Sequence, residues 1–213
     1  MAAQTTTIET VTVVRPMKVI ALICLILSFI LLIIALSTKS WVGSNQFHTG
    51  LFQECTAESQ TGSNSPANIV PVPDAPAPGT CEAISRDNLV YVKAVVGLLI
   101  VAVLATSIGF LTNLLGLKTN DLHKKHAFYK IATYSALFSV LCQLTALIVY
   151  PVCFFFTMNM YGIRNWAFDW SYGVAFGAML ITFGASLMLI CDKEHDEVYY
   201  KEKTIYNPPD NFA

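Results

Sequence analysis

Four long apolar stretches set the limits on what this chain can become. They run from Met17 to Ser37, Tyr91 to Leu117, Ile131 to Cys153 and Trp170 to Cys191. Each is close to the ~20 residues that a helix needs to cross ~30 Å of hydrocarbon. Composition points the same way. Of the 213 residues, 54% are hydrophobic and 13% are charged, with a mean hydropathy of +0.55. Soluble domains carry about 25% charged residues, so a lipid-embedded chain is expected. The net charge of -1 leaves no strongly basic face for a nucleic-acid partner.

A cleaved signal peptide is the competing reading of the first stretch. The run is too long for a signal core, and Lys39-Ser40-Trp41 follows it in place of a small-x-small cleavage site. A retained span is therefore expected, with Trp41 at interface depth. The chain then divides into an N-terminal tail (1–16), a four-span domain (17–192) and a C-terminal tail (193–213). The spans are about 17–37, 91–117, 131–153 and 170–191, joined by outer loops 38–90 and 154–169 and an inner loop 118–130. Both tails are polar and read as disordered. Ala2 follows Met1, so the Gly that N-myristoylation requires is absent.

The first outer loop carries the densest information. Ser40–Phe47 and Gly50–Thr56 have the length and boundaries of short strands. From Thr61 to Thr80 the prolines 66, 71, 73, 76 and 78 exclude a helix or a central strand. Cys55 and Cys81 flank that insert and are the two cysteines well clear of the spans. A disulfide is the first expectation in an oxidising compartment, and two free thiols in a reducing one. The other four cysteines (24, 142, 153 and 191) lie in or beside apolar segments without CxxC spacing, so no metal site is expected.

Inside the spans, Ser135, Ser139 and Gln143 recur at i, i+4, i+8 on one face of the third. Such a face is expected to turn inward and bond neighbouring helices. Tyr150-Pro151 falls near the outer end, where Pro costs less than in mid-helix. Asp169 is placed to cap the fourth span. Gly173 and Gly177 form a GxxxG pair, read as packing within the chain, with dimerisation as the alternative. Cys191, at the inner end, stands where reversible palmitoylation is common; an unmodified thiol is the alternative. The inner loop holds Lys118, Lys124, Lys125 and Lys130 with His123 and His126, and reads as a cationic segment against anionic lipid headgroups rather than a metal site.

Orientation follows from Lys and Arg. With both termini inside, the inner side holds residues 15, 18, 118, 124, 125, 130, 193, 201 and 203, and the outer side only Lys39, Arg86, Lys93 and Arg164. Cytoplasmic termini are expected, which puts Cys55 and Cys81 outside. The spans hold no Asp or Glu, no HExxH and no P-loop, so neither an ion-coupled transporter nor an enzyme is expected, and no cofactor.

These features together resemble the claudin/PMP22 superfamily. The carriers are four spans, Trp41, Gly50-Leu51-Phe52, Cys55…Cys81 and Arg86 before the second span. That family's pattern is W…GLW…C…C with an Arg; here Phe52 replaces the second Trp and the cysteines are unusually far apart. Leu147–Pro151 and Phe168–Ala178 look like the branch containing transmembrane protein 47 and its invertebrate relatives. The resemblance implies an all-α, left-handed transmembrane four-helix bundle. It adds a small extracellular antiparallel sheet from the first outer loop, with a strand from the second. It also implies that the disulfide joins two strands and that Trp41 anchors the sheet. The last residues, Asp210–Ala213, lack the claudin-type PDZ ligand.

The expected role is that of a non-enzymatic organiser of cell–cell junctions or adhesion at the plasma membrane. Its expected partners are membrane lipids, other junction proteins or itself, and cytoplasmic scaffolds or adaptors. A paracellular barrier or cation-selective pore, using Glu54, Glu58, Asp74 and Glu82, is one alternative; an auxiliary subunit of an ion channel is another. In the tail, Tyr199 follows two acidic residues and Val198, and Tyr206 precedes Asn207-Pro208-Pro209. Both read as candidate phosphorylation sites, with phosphorylated Tyr206 recruiting an adaptor, against a plain solvated tail.

Overall fold

The computed structural model describes residues 6–10, 16–44, 47–56, 79–84, 90–119, 121–160, 166–191 and 200–204. Four helices dominate: α1 (Pro16–Ser37), α2 (Val90–Lys118), α3 (Leu122–Met160) and α4 (Trp170–Cys191). All four are long and apolar enough to cross a membrane. They close a ring in which α1 packs on α2 and α4, and α3 packs on the same two helices. Small residues let the backbones approach. Ala21, Ala102, Ala132, Ala136, Ala178 and Ala185 are all fully buried beside Leu25, Leu32 and Leu99, while many other large side chains, such as Ile23, Leu104, Phe138 and Leu141, point outward.

Strands β2 (Val42–Gly43), β3 (Phe47–Thr49), β4 (Gln53–Thr56), β5 (Cys81–Ala83) and β6 (Ala167–Phe168) form one antiparallel sheet in the order β5-β4-β3-β2-β6. It lies between α1 and α2 in the chain, and β6 joins it from the loop before α4. The contribution from the second outer loop is as the family resemblance implied.

The third helix departs from expectation. Leu122–Met160 is one helix of 39 residues, not a span of 131–153 between loops. At about 1.5 Å per residue it is roughly 58 Å long, about twice the ~30 Å thickness of a hydrocarbon core. At the end away from the sheet, Asp121 precedes the first turn. Its carbonyl accepts the Lys125 N–H at 2.9 Å and its carboxylate meets Lys124 Nζ at 2.9 Å. The residues read as a cationic loop therefore start a helix. At the outer end, Pro151 lies inside α3 rather than near its end. Pro151 has no N–H for the carbonyl of Leu147. The Tyr172 hydroxyl, from α4, donates to that same Leu147 oxygen at 2.9 Å. The helix continues past proline because a neighbour takes up the bond it lost.

The tails also differ from the disorder expected of them. β1 (Thr6–Thr10) pairs antiparallel with β7 (Tyr200–Thr204), with Thr6 opposite Thr204 and Glu9 opposite Lys201. Thr, Ile and Tyr favour extended backbone. The packing of α1 on α4 brings the two short segments to the same end of the bundle. Residues 61–78 of the Pro-rich insert lie outside the described residues.

Candidate functional site

The outer sheet is bolted to the bundle by Trp41. Its indole is fully buried, and Nε1 donates to the Ala35 carbonyl at the end of α1 at 2.7 Å. The ring meets Tyr150 of α3 and Tyr172 of α4 edge-on at 5.1 and 5.9 Å between centroids. Its backbone joins both outer loops: Trp41 N–H donates to Thr49 O, and Trp41 O accepts Asp169 N–H, each at 3.0 Å. The indole is enclosed by protein, since helices and a strand converge on it.

Each residue of Gly50-Leu51-Phe52 has a separate task. A Cβ on Gly50 would lie 2.7 Å from Lys39 Cα and 2.7 Å from Thr38 O. Both are backbone atoms, so only glycine lets the β3–β4 turn cross the end of α1. Leu51 is buried in the same cluster as Trp41. Phe52 is 49% exposed and its carbonyl accepts Ile84 N–H at 3.0 Å, tying the turn to the end of β5. Arg86 lies outside the described residues.

The disulfide is formed. Cys55 of β4 and Cys81 of β5 are register partners with Cα atoms 4.1 Å apart. Successive residues face opposite sides of a sheet, and the register sorts them. Phe47, Thr49 and Val42 share the buried face, toward the helices; the register puts the half-buried Glu54 and the exposed Glu82 on the same side. His48, Gly43 and the Cys55–Cys81 bond share the other. On that face the His48 ring crosses Gly43, whose added Cβ would meet Nδ1 at 2.9 Å, and reaches Asp169 Oδ2 at 3.8 Å. Asp169 caps α4 as expected: its Oδ1 accepts the Trp170 N–H at 2.7 Å.

A belt of polar side chains crosses the bundle at mid-depth. Ser28 (α1), Thr106 (α2), Ser139 and Gln143 (α3) and Thr182 (α4) are all fully buried. Ser139 Oγ donates to Ala102 O at 2.9 Å and lies 2.7 Å from Thr106 Oγ1, which joins α2 to α3. Ser28 Oγ donates to Ala178 O at 3.0 Å and bonds Thr182, which joins α1 to α4. Gln143 Nε2 donates to Ser139 Oγ at 2.9 Å and Thr182 Oγ1 at 3.4 Å, bridging the two pairs. The inward face of α3 was legible as Ser135-Ser139-Gln143; Ser135 is only part-buried, against Gly109. The partners Ser28, Thr106 and Thr182 went unread, although each stands near the middle of its span.

At the end of the bundle away from the sheet Lys18 is only 7% exposed, with Nζ 3.8 Å from the centroid of the Tyr129 ring. Asn113 Nδ2 donates to the Lys18 carbonyl at 3.4 Å. A Cβ on Gly116 would strike the Tyr129 ring at 2.9 Å. This cation–π contact was also missed, because nothing in the sequence links positions 111 residues apart.

Gly173 and Gly177 are not where packing within the chain would put them. A Cβ on either meets nothing within 4 Å, so the pair faces outward from the bundle. The glycines in close helix contact are Gly109 and Gly116 of α2. Cys191 ends α4 and is exposed. Tyr199 and Tyr206 lie outside the described residues. Among the described residues no group of three or more His, Cys, Asp or Glu is placed to hold a metal ion.

Four membrane-crossing helices with a disulfide-closed sheet on one end define a tetraspan membrane protein with a claudin-like fold. The chain belongs to the PMP-22/EMP/MP20/Claudin family, whose model matches residues 17–189.

Proposed function

We propose that this protein is a non-enzymatic organiser of cell–cell junctions, within the branch that contains transmembrane protein 47. One observation carries the reading. A five-stranded sheet drawn from both outer loops is fixed to the bundle through Trp41 and closed by Cys55–Cys81. Such a sheet offers a preformed surface, so little ordering cost is added on binding. Family membership supports a structural role. Phe168–Ala178, with the Trp41-contacting Tyr172, supports the branch.

In this reading the protein lies in the plasma membrane with both termini cytoplasmic. The outer sheet meets other junction proteins or a second copy, and the tail meets scaffolds or adaptors through Tyr199 and Tyr206 once phosphorylated. Cys191, exposed at the inner end of α4, is acylated. The test is a tagged protein imaged in a polarised epithelium, with freeze-fracture of the same cells. Enrichment at contacts without intramembrane strands supports the proposal. Continuous strands with new cation permeability support a pore instead, and even distribution over the surface rejects both.

A further inference from the structure

We propose that the N-terminal tail is a clasp on the C-terminal tail: β1 holds residues 200–204 in a ladder, and an enzyme or adaptor gains that stretch as an extended peptide only after β1 lets go. The two strands are each five residues long and meet in full register, from Thr6 opposite Thr204 to Thr10 opposite Tyr200. The register sets Glu9 opposite Lys201, an opposite-charge pair that favours this alignment. A slip of one residue sets Glu9 against Tyr200 or Glu202 and loses it.

The bundle delivers the strands to each other. Where α1 ends and α4 begins, Trp41 O accepts the Asp169 N–H and Ser40 O accepts the Ser171 N–H, so the start of α1 and the end of α4 share the opposite end. There Ala21 and Leu25 of α1 pack in one cluster with Ala185 and Leu189 of α4. Only residues 11–15 lie between β1 and α1, and only 192–199 between α4 and β7. Short tethers keep each strand at high effective concentration for the other. A two-stranded ribbon is only marginally stable by itself, so the clasp forms and yet opens readily. Peptides bound by strand addition lie extended, with their backbone hydrogen-bonded to the host. The backbone of residues 200–204 is already paired with β1. In sequence Tyr199 and Tyr206 stand on either side of that stretch. Release of β1 therefore precedes their phosphorylation. That consequence rests on the tail tyrosines being phosphorylated, as proposed above; the clasp itself does not.

The test uses the full chain in nanodiscs and two probes. Trypsin reports the clasp, through the initial rate of cutting after Lys203 in the intact chain, resolved by mass. Cleavage follows the open population. Thr7→Pro/Ile8→Pro removes an N–H that faces β7, since one of any two successive residues turns its N–H to the partner strand. For a ribbon this small it should speed cutting about fivefold. Glu9→Lys sets a Lys against Lys201 and should speed cutting about twofold. In a Lys201→Glu background the same change restores an opposite-charge pair and should slow cutting about twofold. That reversal of sign separates the pairing from any general effect on the tail. A purified tyrosine kinase with ATP reports the consequence: phosphate on Tyr199 and Tyr206 should rise in Thr7→Pro/Ile8→Pro by the same factor as cutting. Equal trypsin rates in all variants overturn the clasp. Faster cutting with phosphorylation present but unchanged overturns its control of the tyrosines. Faster cutting with no phosphate on either tyrosine in any variant overturns the tyrosine reading and still supports the clasp.

Discussion

At Pro151 a lost hydrogen bond and its replacement can be separated by mutation. Tyr172→Phe removes the hydroxyl that reaches Leu147 O and nothing else of comparable size. A net loss of about 1 kcal/mol is expected. In a Pro151→Ala background residue 151 regains its N–H, so the same change should cost close to nothing. Denaturation of the four variants in micelles gives the cycle; equal costs in both backgrounds would show that the hydroxyl is not the proline's substitute. Gly50 makes a second case. Gly50→Ala forces a methyl against the backbone of Thr38 and Lys39, which cannot swing away. A loss of about 1–3 kcal/mol is expected, read as reduced surface delivery and a lower unfolding temperature. The outward glycines contrast with it: Gly173→Ala and Gly177→Ala should leave the unfolding temperature of the monomer unchanged.

Among the elements, the outer sheet depends on the disulfide more than on its own ladder. Its strands are two to four residues long, shorter than the usual five or so. Cys55–Cys81 closes a loop across a sequence separation of 26, worth about 3 kcal/mol in the chain-entropy model. Cys81→Ser should therefore hold the protein in the secretory pathway, measured as persistent intracellular staining. Normal surface levels would mean that Trp41 and β6 suffice. The helix α3 shows where sequence reading stops. Its middle was legible from hydropathy, but its ends were not. His, Lys and Tyr near position 125 are neutral between loop and helix, and Pro151 argued for a boundary. Packing against α2 and the hydroxyl of Tyr172 decided both.

For the whole molecule, Gln143 links two helix pairs that are otherwise each closed by their own hydroxyl–carbonyl bonds. Gln143→Leu leaves Ser139 and Thr182 with partners at Ala102 and Ala178, and removes a buried amide oxygen that has none among the described residues. The expected loss is small, about 1 kcal/mol, in line with interhelical bonds in lipid, and is measurable by unfolding in mixed micelles. Hydropathy alone determined the number of spans, because water is absent from the bilayer core and backbone groups there must be satisfied within a helix. The pairing of Cys55 with Cys81 was equally legible, since the loop offered no other partner. What faces what was settled only in three dimensions. GxxxG spacing specifies a smooth stripe but not the direction it turns, and α4 turns Gly173 and Gly177 outward because Ala175, Ala178, Thr182 and Ala185 fill the inner face. Lys18 on Tyr129, Tyr172 on Leu147 and the meeting of the two tails join residues far apart in the chain. Such contacts carry no periodic signal and exist only once the four helices have closed around one another.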